Sequence, residues 1–418
     1  MANATADNTT AINSLWLIVG AALVLIMTPG VAFFYGGMVK AKSVISMMMM
    51  SFGAMGLVGV LWVLYGYGLS FGKPLIPHFL GVPDWGLSNE MGKDGITPDL
   101  NSLAFAGFQA TFAIITVALI SGAIADRAKF GPWMIFAGVW ATVVYFPVAY
   151  WVFNLGDGWA PAVLHANDFA GGTAVHINAG AAGLALALVL GKRVGFAKGM
   201  NAPHNVPLTL LGAALLWFGW FGFNSGSEAA VDGVAAVAWI NTLAAPAAGI
   251  LGWLIVEKFK DGKPTSIGAA SGAVAGLVAI TPACNILTPF WAIVLGILVG
   301  VVCAFAIDLK YKLGFDDSLD VVGIHLVGGL LGTLYIGFFG FTKVDGKFTS
   351  VLYGGSFVQL GAQAADAFGV MIYSFVLAFV IGWVIQKTIG FRITNEDEVA
   401  GVDTVVHGEE AYEIPVTA

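Results

Sequence analysis

The sequence has few charged residues and few cysteines. Only 10% of its 418 residues are charged, whereas soluble globular domains carry about 25%, so a soluble fold is disfavoured. The two cysteines, Cys284 and Cys303, stand in apolar surroundings, and their spacing fits neither a disulfide framework nor a metal site. The net charge of −7 arises largely in the C-terminal tail and one outer loop, and it gives no indication of a nucleic-acid partner.

A cleavable signal peptide is not recognisable at the start of the chain. The first dozen residues are polar and have no basic stretch, and the apolar run that follows is long enough to span a bilayer. We therefore expect residues 1–12 to form an external N-terminus and the first apolar run to be the first transmembrane helix.

Hydrophobic residues, in contrast, are abundant, at 58% of the chain, and there are 56 glycines. A spanning helix needs roughly 20 mostly apolar residues, and hydropathy along the chain predicts eleven of them. The predicted spans are Asn13–Gly37, Ser43–Phe71, Ser102–Ala125, Pro132–Phe153, Asp168–Leu190, Val206–Asn224, Gly233–Val256, Gly268–Ala283, Pro289–Ile307, Leu319–Phe341 and Phe357–Lys387. The sequence thus predicts an all-α integral membrane protein.

The basic residues predict the orientation of these helices. With the N-terminus outside, only Lys73, Lys93, Lys343 and Lys347 of the 18 basic residues fall in outer loops. Positively charged residues favour the cytoplasmic side, so we expect the N-terminus out and the C-terminus in. The predicted units are two five-helix repeats (13–190 and 191–341), an eleventh helix with its preceding outer loop (342–387), and a cytoplasmic tail (388–418).

The fifth and tenth helices carry the same pattern. Asp168 precedes His176 by eight residues, and Asp317 precedes His325 by eight; glycines follow each histidine at four and seven. The second copy lies five helices after the first, so the two copies cross the membrane in opposite directions. Such doubling is typical of an inverted repeat, with the functional site at the interface between the two halves.

The two histidines lie within hydrophobic helices, where an ionisable side chain is costly and usually serves a transport pathway. Two neutral imidazoles that meet can share one proton and present a donor or acceptor nitrogen to a lumen. Two other interpretations remain open: His176 and His325 could only bond two helices together, or they could bind a metal, although no further ligand stands at suitable spacing.

Several motifs in order resemble the ammonium transporter family (Amt/Mep/Rh), in particular its bacterial Amt branch. The resemblance covers nearly the whole chain. The motifs are PGVAFFYGG near Pro29, GFQATFA around Gln109, DFAGGTAVHINAG around His176, WFGFNSGS from Trp220, TPAC from Thr281, DDSLDVVGIHLVGG around His325 and GVDTVVHGEEAY from Gly401.

The resemblance implies a homotrimer in the cell membrane with one pore in each subunit, which conducts ammonium or ammonia and takes methylammonium as an analogue. It implies no cofactor or metal, and it suggests a PII-type signal protein as a partner of the tail. The implied recruitment site comprises Trp220, Ser227, Phe112, Phe153 and Asp168, the gate Phe112 and Phe223, and the pore His176, His325, Phe34 and Thr281.

One departure from the family concerns the outer mouth. Where the Amt branch usually has a second tryptophan, this chain has Phe153, with Trp151 two residues earlier. Phenylalanine is a poorer cation–π partner than tryptophan, which puts high-affinity external binding in doubt but leaves conduction unaffected. We expect Asp168 to hold backbone groups rather than to touch the ion.

The selection of ammonium over potassium can also be explained without the family resemblance. Ammonium and potassium are similar in size, but only ammonium can lose a proton, so an apolar constriction followed by imidazoles selects for that property. The single residues also have structural interpretations: Phe112 and Phe223 as core aromatics, Trp220 as an interfacial residue, Ser227 and Asp168 as helix caps, and Asp366 as a structural partner in the last helix.

Three other functions were weighed for the chain. A sensor would need a signalling domain, and the tail from Arg392 has only 27 residues to Ala418. A transporter of another small cation, or of a neutral gas such as carbon dioxide, would be separated by uptake of labelled methylammonium. A membrane enzyme is disfavoured because no nucleophile–base pair or metal cluster is apparent.

Overall fold

The structure is a computed structural model that describes residues 2–92, 96–196, 202–341, 343–344 and 347–412. Lys93 and Lys198, two of the basic residues used to predict the orientation, lie outside these ranges. The described residues are mostly helical. Their strands form two short antiparallel hairpins, β1 (Pro74–Ile76) with β2 (Leu80–Gly81), and β3 (Lys343–Val344) with β4 (Lys347–Phe348).

Seventeen α-helices follow one another in the described chain. They are α1 (Ala2–Leu25), α2 (Met27–Met38), α3 (Val44–Leu61), α4 (Tyr67–Phe71), α5 (Leu100–Ile120), α6 (Phe130–Trp140), α7 (Phe146–Phe153), α8 (Asn178–Leu190), α9 (Val206–Gly226), α10 (Gly233–Lys260), α11 (Ser266–Ile280), α12 (Pro289–Ala306), α13 (Leu309–Leu313), α14 (Val327–Phe339), α15 (Val358–Thr388), α16 (Asn395–Ala400) and α17 (Val402–His407).

Ten helical stretches in the described chain are long and apolar enough to cross a bilayer, and α11 is a shorter apolar helix of 15 residues. The chain is therefore a multi-pass, all-α membrane protein, and the predicted set of eleven helices is confirmed. The predicted span Gly268–Ala283 corresponds to α11. The predicted orientation and the predicted domain boundaries stay predictions.

The first span begins earlier than its hydropathy indicates. Helix α1 starts at Ala2, within the segment predicted as an external N-terminus, because residues 2–12 contain no glycine or proline to stop the helix. The span also has a break at Ile26, after which α2 continues to Met38.

Five stretches of π-helix interrupt or precede the α-helices of the described chain. They are Trp62–Gly66, Ala141–Tyr145, Trp159–Leu164, Gly172–Ile177 and Val322–Leu326. The last two hold His176 and His325 and run directly into α8 and α14. We call Gly172–Leu190 and Val322–Phe339 the two pore helices. Single π turns occur frequently at functional sites, where they re-aim a side chain.

Glycines let the two pore helices approach one another closely. A Cβ atom on Gly180 would lie 2.6 Å from the backbone nitrogen of Leu326, and one on Gly329 would lie 3.1 Å from the carbonyl oxygen of Gly172. These glycines follow the two histidines by four residues. A side chain at either position would push the pore helices apart, and with them the histidines.

The tail packs against loops at the end of the bundle opposite Asp168. Arg392 forms an ion pair of 2.8 Å with Glu398, whose other carboxylate oxygen accepts a hydrogen bond from the Val194 amide. Asp403 accepts hydrogen bonds from the amides of Ile45 and Ser46 at the start of α3. The described part of the tail is thus an ordered element of the fold.

Candidate functional site

Two stacked phenylalanine rings close the centre of the bundle. Phe112 of α5 and Phe223 of α9 have ring centroids 4.1 Å apart and planes inclined by 18°. Both side chains are fully buried. A constriction of two aromatic rings offers a solute no polar group in exchange for its water, so a charged solute meets a dehydration cost there. The two residues predicted to form the gate lie together, and the gating role stays a prediction.

On one side of this pair, which we call the mouth, lie Phe153 and Ser227. The Phe153 ring stands edge-on to Phe112, with centroids 6.0 Å apart and an angle of 87°. The Ser227 hydroxyl, just past the end of α9, donates a 2.7 Å hydrogen bond to the carbonyl oxygen of Phe223. Its lone pairs remain available as acceptors, so an ammonium N–H could bond there.

Trp151 does not take part in the mouth. Its indole N–H donates to the carbonyl oxygen of Phe79, and its ring packs against Tyr373 with centroids 4.6 Å apart. The tryptophan two residues before Phe153 therefore points along a different face of the helix. Phe153 is the aromatic residue of this segment that reaches the gate.

Beyond the gate, in the region that we call the lumen, the two predicted histidines meet. The Nδ1 atoms of His176 and His325 lie 3.2 Å apart, and the rings are nearly parallel with centroids separated by 5.3 Å. Both side chains are buried. The Nε2 atom of His176 is buried and makes no hydrogen bond to the described protein, so it is free to bond a solute in the lumen.

A narrow cavity surrounds the histidine pair, and its walls are almost wholly apolar. Phe34 belongs to it, as predicted from the PGVAFFYGG motif. The lining residues are Met27, Val31, Phe34, Tyr35, Ile115, Leu119, Val175, His176, Leu216, Trp220, Phe223, Val274 and His325. A lumen with this lining disfavours ions and accepts small neutral molecules.

Trp220 lies on the lumen side of the gate and not at the mouth. Its ring stacks on His176 with centroids 5.4 Å apart, and only 2% of the residue is exposed. The indole N–H donates 2.8 Å to the Thr281 hydroxyl, which in turn donates to the carbonyl oxygen of Leu277. Thr281 therefore stands behind Trp220 and orients it, and it does not line the cavity.

Both pore helices begin with an aspartate that binds backbone amides. The Asp168 carboxylate accepts four hydrogen bonds of 2.7–3.0 Å, from the amides of residues 171–174. Asp317 accepts two, from Val321 and Val322. Each aspartate satisfies amides that a helix start leaves unpaired, which explains the eight-residue spacing to the histidine. Asp168 acts on the mouth only through the turn that it stabilises. Gly171, in that turn, lies so close to Phe153 that a Cβ atom on it would contact the Phe153 ring.

A second cavity, of about 560 Å³, opens at the opposite end of the pore, and its lining includes the charged residues Asp126, Arg193 and Lys310. Arg193 forms ion pairs of 3.0 Å with Asp126 and 2.9 Å with Asp316. Burial disfavours the charged form of Asp316, but the bonds to Arg193 outweigh burial, so the pKa of Asp316 lies below its usual range. This vestibule can solvate an ion that the lumen cannot.

Glu228, at the mouth, was missed in the sequence analysis. It follows Ser227 directly and is partly buried, and burial together with the nearby Asp232 raises its pKa to about 6. The position of Glu228 next to Ser227, whose hydroxyl is predicted to bind ammonium, was the sequence signal that could have identified it.

Among the described residues, no group of three or more His, Cys, Asp or Glu is placed to hold a metal ion. In the lumen the two imidazoles face one another, whereas the Tyr35 hydroxyl and the Trp220 indole N–H are already bonded to protein oxygens. The arrangement is suited to hydrogen bonding and proton exchange with a small neutral solute.

The chain was compared with known proteins. The model of the Ammonium Transporter Family matches residues 15–412. An ammonium transporter of Mycobacterium tuberculosis is 50% identical over 432 residues, covering 96% of this chain and 90% of the relative. An ammonium transporter of Bacillus subtilis is 45% identical over 396 residues, covering 94% of this chain and 96% of the relative.

Solved structures resemble the whole chain. A structure named Sensor Amt Protein superposes with a TM-score of 0.87 at 28% identity, covering 96% of this chain and 99% of that one. The crystal structure of Candida albicans Mep2 has a TM-score of 0.83 at 34% identity, covering 93% and 87% of the two chains.

Proposed function

The chain belongs to the ammonium transporter family, and on that premise we propose that it recruits ammonium at the mouth, deprotonates it at the phenylalanine gate and conducts it as ammonia past His176 and His325. The observation that carries this proposal is the pair of Nδ1 atoms 3.2 Å apart directly behind two stacked phenylalanines. Transport of ammonium nitrogen, and not catalysis, is the activity.

Recruitment begins with the cation in water at the mouth. The Phe153 ring face, the Ser227 hydroxyl and the Glu228 carboxyl are the groups that favour a cation there. Asp168 contributes by fixing the turn beneath Phe153, because its oxygens are already bonded to four amides. Trp220 belongs to the next step, as a wall of the lumen.

The gate sets the selectivity. Ammonium that enters between Phe112 and Phe223 must lose its water without replacement, a cost that potassium cannot avoid. Ammonium avoids it by leaving a proton on the mouth side, because neutral ammonia has far less to lose on dehydration. The stack therefore passes the species without charge.

In the lumen, the histidine pair supplies hydrogen bonds to ammonia. One Nδ1 donates its hydrogen to the other Nδ1, so two neutral imidazoles hold one proton between them. One Nε2 then keeps a free lone pair and the other carries a hydrogen, which matches a molecule that both donates and accepts. The charged vestibule at the far end is where ammonia regains a proton.

Membership of the family supports a particular assembly. We propose a homotrimer in the plasma membrane with one pore in each subunit, and a PII-type signal protein as a cytoplasmic partner. The tail packed beside Val194 and Ile45 supports the second point, because a protein that moves the tail would act on loops around the inner vestibule.

A second candidate function is ammonium sensing, favoured by the likeness to the structure named Sensor Amt Protein. A sensor binds ammonium without appreciable flux, so the two candidates differ in one measurable quantity. The continuous arrangement of mouth, gate, lumen and vestibule supports conduction.

The test is flux through purified protein in proteoliposomes, followed with labelled methylammonium and with an internal pH dye after an ammonium pulse. We expect uptake far above empty liposomes, undiminished by an excess of potassium. The matched control is Thr281→Val. This change removes the hydrogen bond that orients Trp220 but removes no side chain that lines the lumen, so flux should fall only severalfold. Methylammonium binding without flux would favour the sensor, and no binding would refute both.

A further inference from the structure

Asp366 is a buried acid in α15 that the proposed transport path does not use. Two hydrogen bonds show where Asp366 lies along the first pore helix. The Asn167 backbone amide donates to the Gln363 side chain, and the Ser374 hydroxyl donates to the Asn178 carbonyl oxygen. Both pairs are separated by 196 residues, so α15 runs beside the first pore helix in constant register. The same offset places Asp366 level with Ala170, in the Asp168 turn.

The Asp366 carboxyl has at most one hydrogen-bond partner. The residue is fully buried, and neither carboxyl oxygen makes a hydrogen bond of normal geometry within the described chain. The Thr173 hydroxyl, also buried, lies beside the carboxyl and can donate to it. Asp168, in contrast, has both oxygens bonded to amides. The two acids therefore lie close together, but the carboxylate of Asp168 is fully hydrogen-bonded and that of Asp366 is not.

No positive charge compensates Asp366. The segments packed against this part of α15 are residues 130–145, 159–164, 172–190 and 327–339, and they contain no lysine or arginine. The titratable residues on or beside these segments are Tyr145, Asp168, His176 and Tyr335, with Tyr373 on α15 itself. An unpaired carboxylate in such a place costs several kcal/mol, so Asp366 is a neutral acid while Asp168 is charged.

We propose that Asp366 is a proton-binding site coupled to the cation site at the mouth, so that a cation beside the Asp168 turn favours release of the Asp366 proton. The inference rests on the proposed function, since it needs a cation at the mouth. The step is an acid dissociation: the O–H bond of Asp366 breaks, the electron pair stays on the carboxylate, and the proton passes to water at the mouth.

The coupling has a defined sign. Ionised Asp366 stands next to ionised Asp168, and the repulsion between them opposes its dissociation. A cation at the mouth offsets this repulsion. By reciprocity, loss of the proton must tighten the cation by the same factor, roughly threefold to tenfold for charges several ångströms apart that water at the mouth screens. Cation affinity should therefore rise with pH through Asp366.

Infrared difference spectroscopy of the full-length protein in nanodiscs tests the protonation directly. At neutral pH, the wild type should show the carbonyl stretch of a buried carboxylic acid, and Asp366→Asn should lack it. Methylammonium at alkaline pH should weaken that band. The control is Ser374→Ala, which perturbs the same helix interface without removing an acid and should keep the band. An unchanged acid spectrum in Asp366→Asn would overturn the inference.

Uptake in proteoliposomes tests the coupling. Above pH 7, the KM for methylammonium should fall roughly threefold to tenfold with rising pH in the wild type and stay flat in Asp366→Asn, with little change in kcat. Glu228 is already ionised in this range and does not contribute to the difference. The same slope in both proteins would overturn the coupling and leave the proposed transport intact, whereas no uptake by the wild type would refute transport itself.

Discussion

The Nδ1 atoms of His176 and His325 lie 3.2 Å apart, and this contact fixes the hydrogen-bonding character of both rings. Two nitrogens at that distance are held by one hydrogen, so one ring donates and the other accepts. The two histidines come from repeats that are 149 residues apart in the chain. They therefore act as one unit, in which neither ring keeps its role when the other is removed.

The first prediction concerns that unit. We expect His176→Ala and His325→Ala each to lower methylammonium flux by roughly tenfold or more, and the double variant to be at most about threefold worse than either. The reason is that each single change already leaves the other Nδ1 unpaired. The measurement is initial uptake in proteoliposomes at equal protein content.

His165→Asn is the control for this series. His165 is an exposed histidine in a left-handed backbone conformation that asparagine tolerates, so flux should remain at the wild-type level. Losses in the two single variants that multiply in the double variant would show that the imidazoles act independently, contrary to the shared proton.

The second prediction concerns the aspartate that begins the first pore helix. Asp168→Ala leaves four amides without acceptors, whereas Asp317→Ala leaves two. We expect Asp168→Ala to cost about 2–4 kcal/mol of stability and Asp317→Ala roughly half of that. Thermal unfolding in detergent measures both. Equal Tm values for Asp168→Ala and the wild type would mean that the bonds to residues 171–174 do not stabilise the pore helix.

The histidine pair could be predicted because its signal is doubled in the sequence. The same eight-residue spacing before His176 and His325, and the same glycines after them, require the same local structure twice. The glycine spacing also predicts a close helix approach, and Gly180 lies against the backbone of Leu326. Hydropathy alone sufficed for the helices, because the bilayer requires long apolar runs.

The family resemblance implies Trp220 at the mouth, whereas the structure places its ring against His176, and the sequence spacing carries this information. Trp220 precedes Ser227 by seven residues, and seven residues of α-helix rise about 10 Å. If Ser227 is at the mouth, Trp220 must lie well inside, and it stacks on His176. The family motif identified the residue as functional, but only the helical rise locates it along the pore.

Other features depend on contacts between distant segments and have no local signal. The sequence does not reveal that Trp151 contacts Phe79. Trp151 and Phe153 are both aromatic residues of one membrane helix, and only the tertiary structure decides which segment each of them contacts. The bonds from Asp403 to the start of α3 likewise join residues more than 350 positions apart.

The third prediction is a pH dependence from Glu228. Burial and Asp232 raise its pKa to about 6, so the carboxyl is negative above that pH and neutral below it. A negative group at the mouth attracts the cation; the KM for methylammonium should therefore rise roughly twofold to fivefold as pH falls from 7 to 5. Uptake in Glu228→Gln should have the higher KM at both pH values, with kcat unchanged. A pH profile that persists in this variant would assign the titration to another group.

The last prediction concerns the aromatic face at the mouth. Phe153 stands edge-on to the gate residue Phe112 and is partly exposed, so a larger ring has room on the mouth side. A cation–π contact contributes about 0.5–1 kcal/mol at exposed sites, and indole is a better partner than benzene. Phe153→Trp should therefore lower the KM for methylammonium by at most about fivefold, with kcat little changed, because the gate and lumen are untouched.

Trp151→Phe is the matched control, since it exchanges the same two ring types two residues away. Its indole bonds to Phe79 and packs on Tyr373, so this variant should lose some thermal stability and keep the wild-type KM. A raised KM in Trp151→Phe, together with an unchanged KM in Phe153→Trp, would place the recruiting aromatic at Trp151. The cation would then approach along the Phe79 side of the helix, and the edge-on contact between Phe153 and Phe112 would serve packing alone.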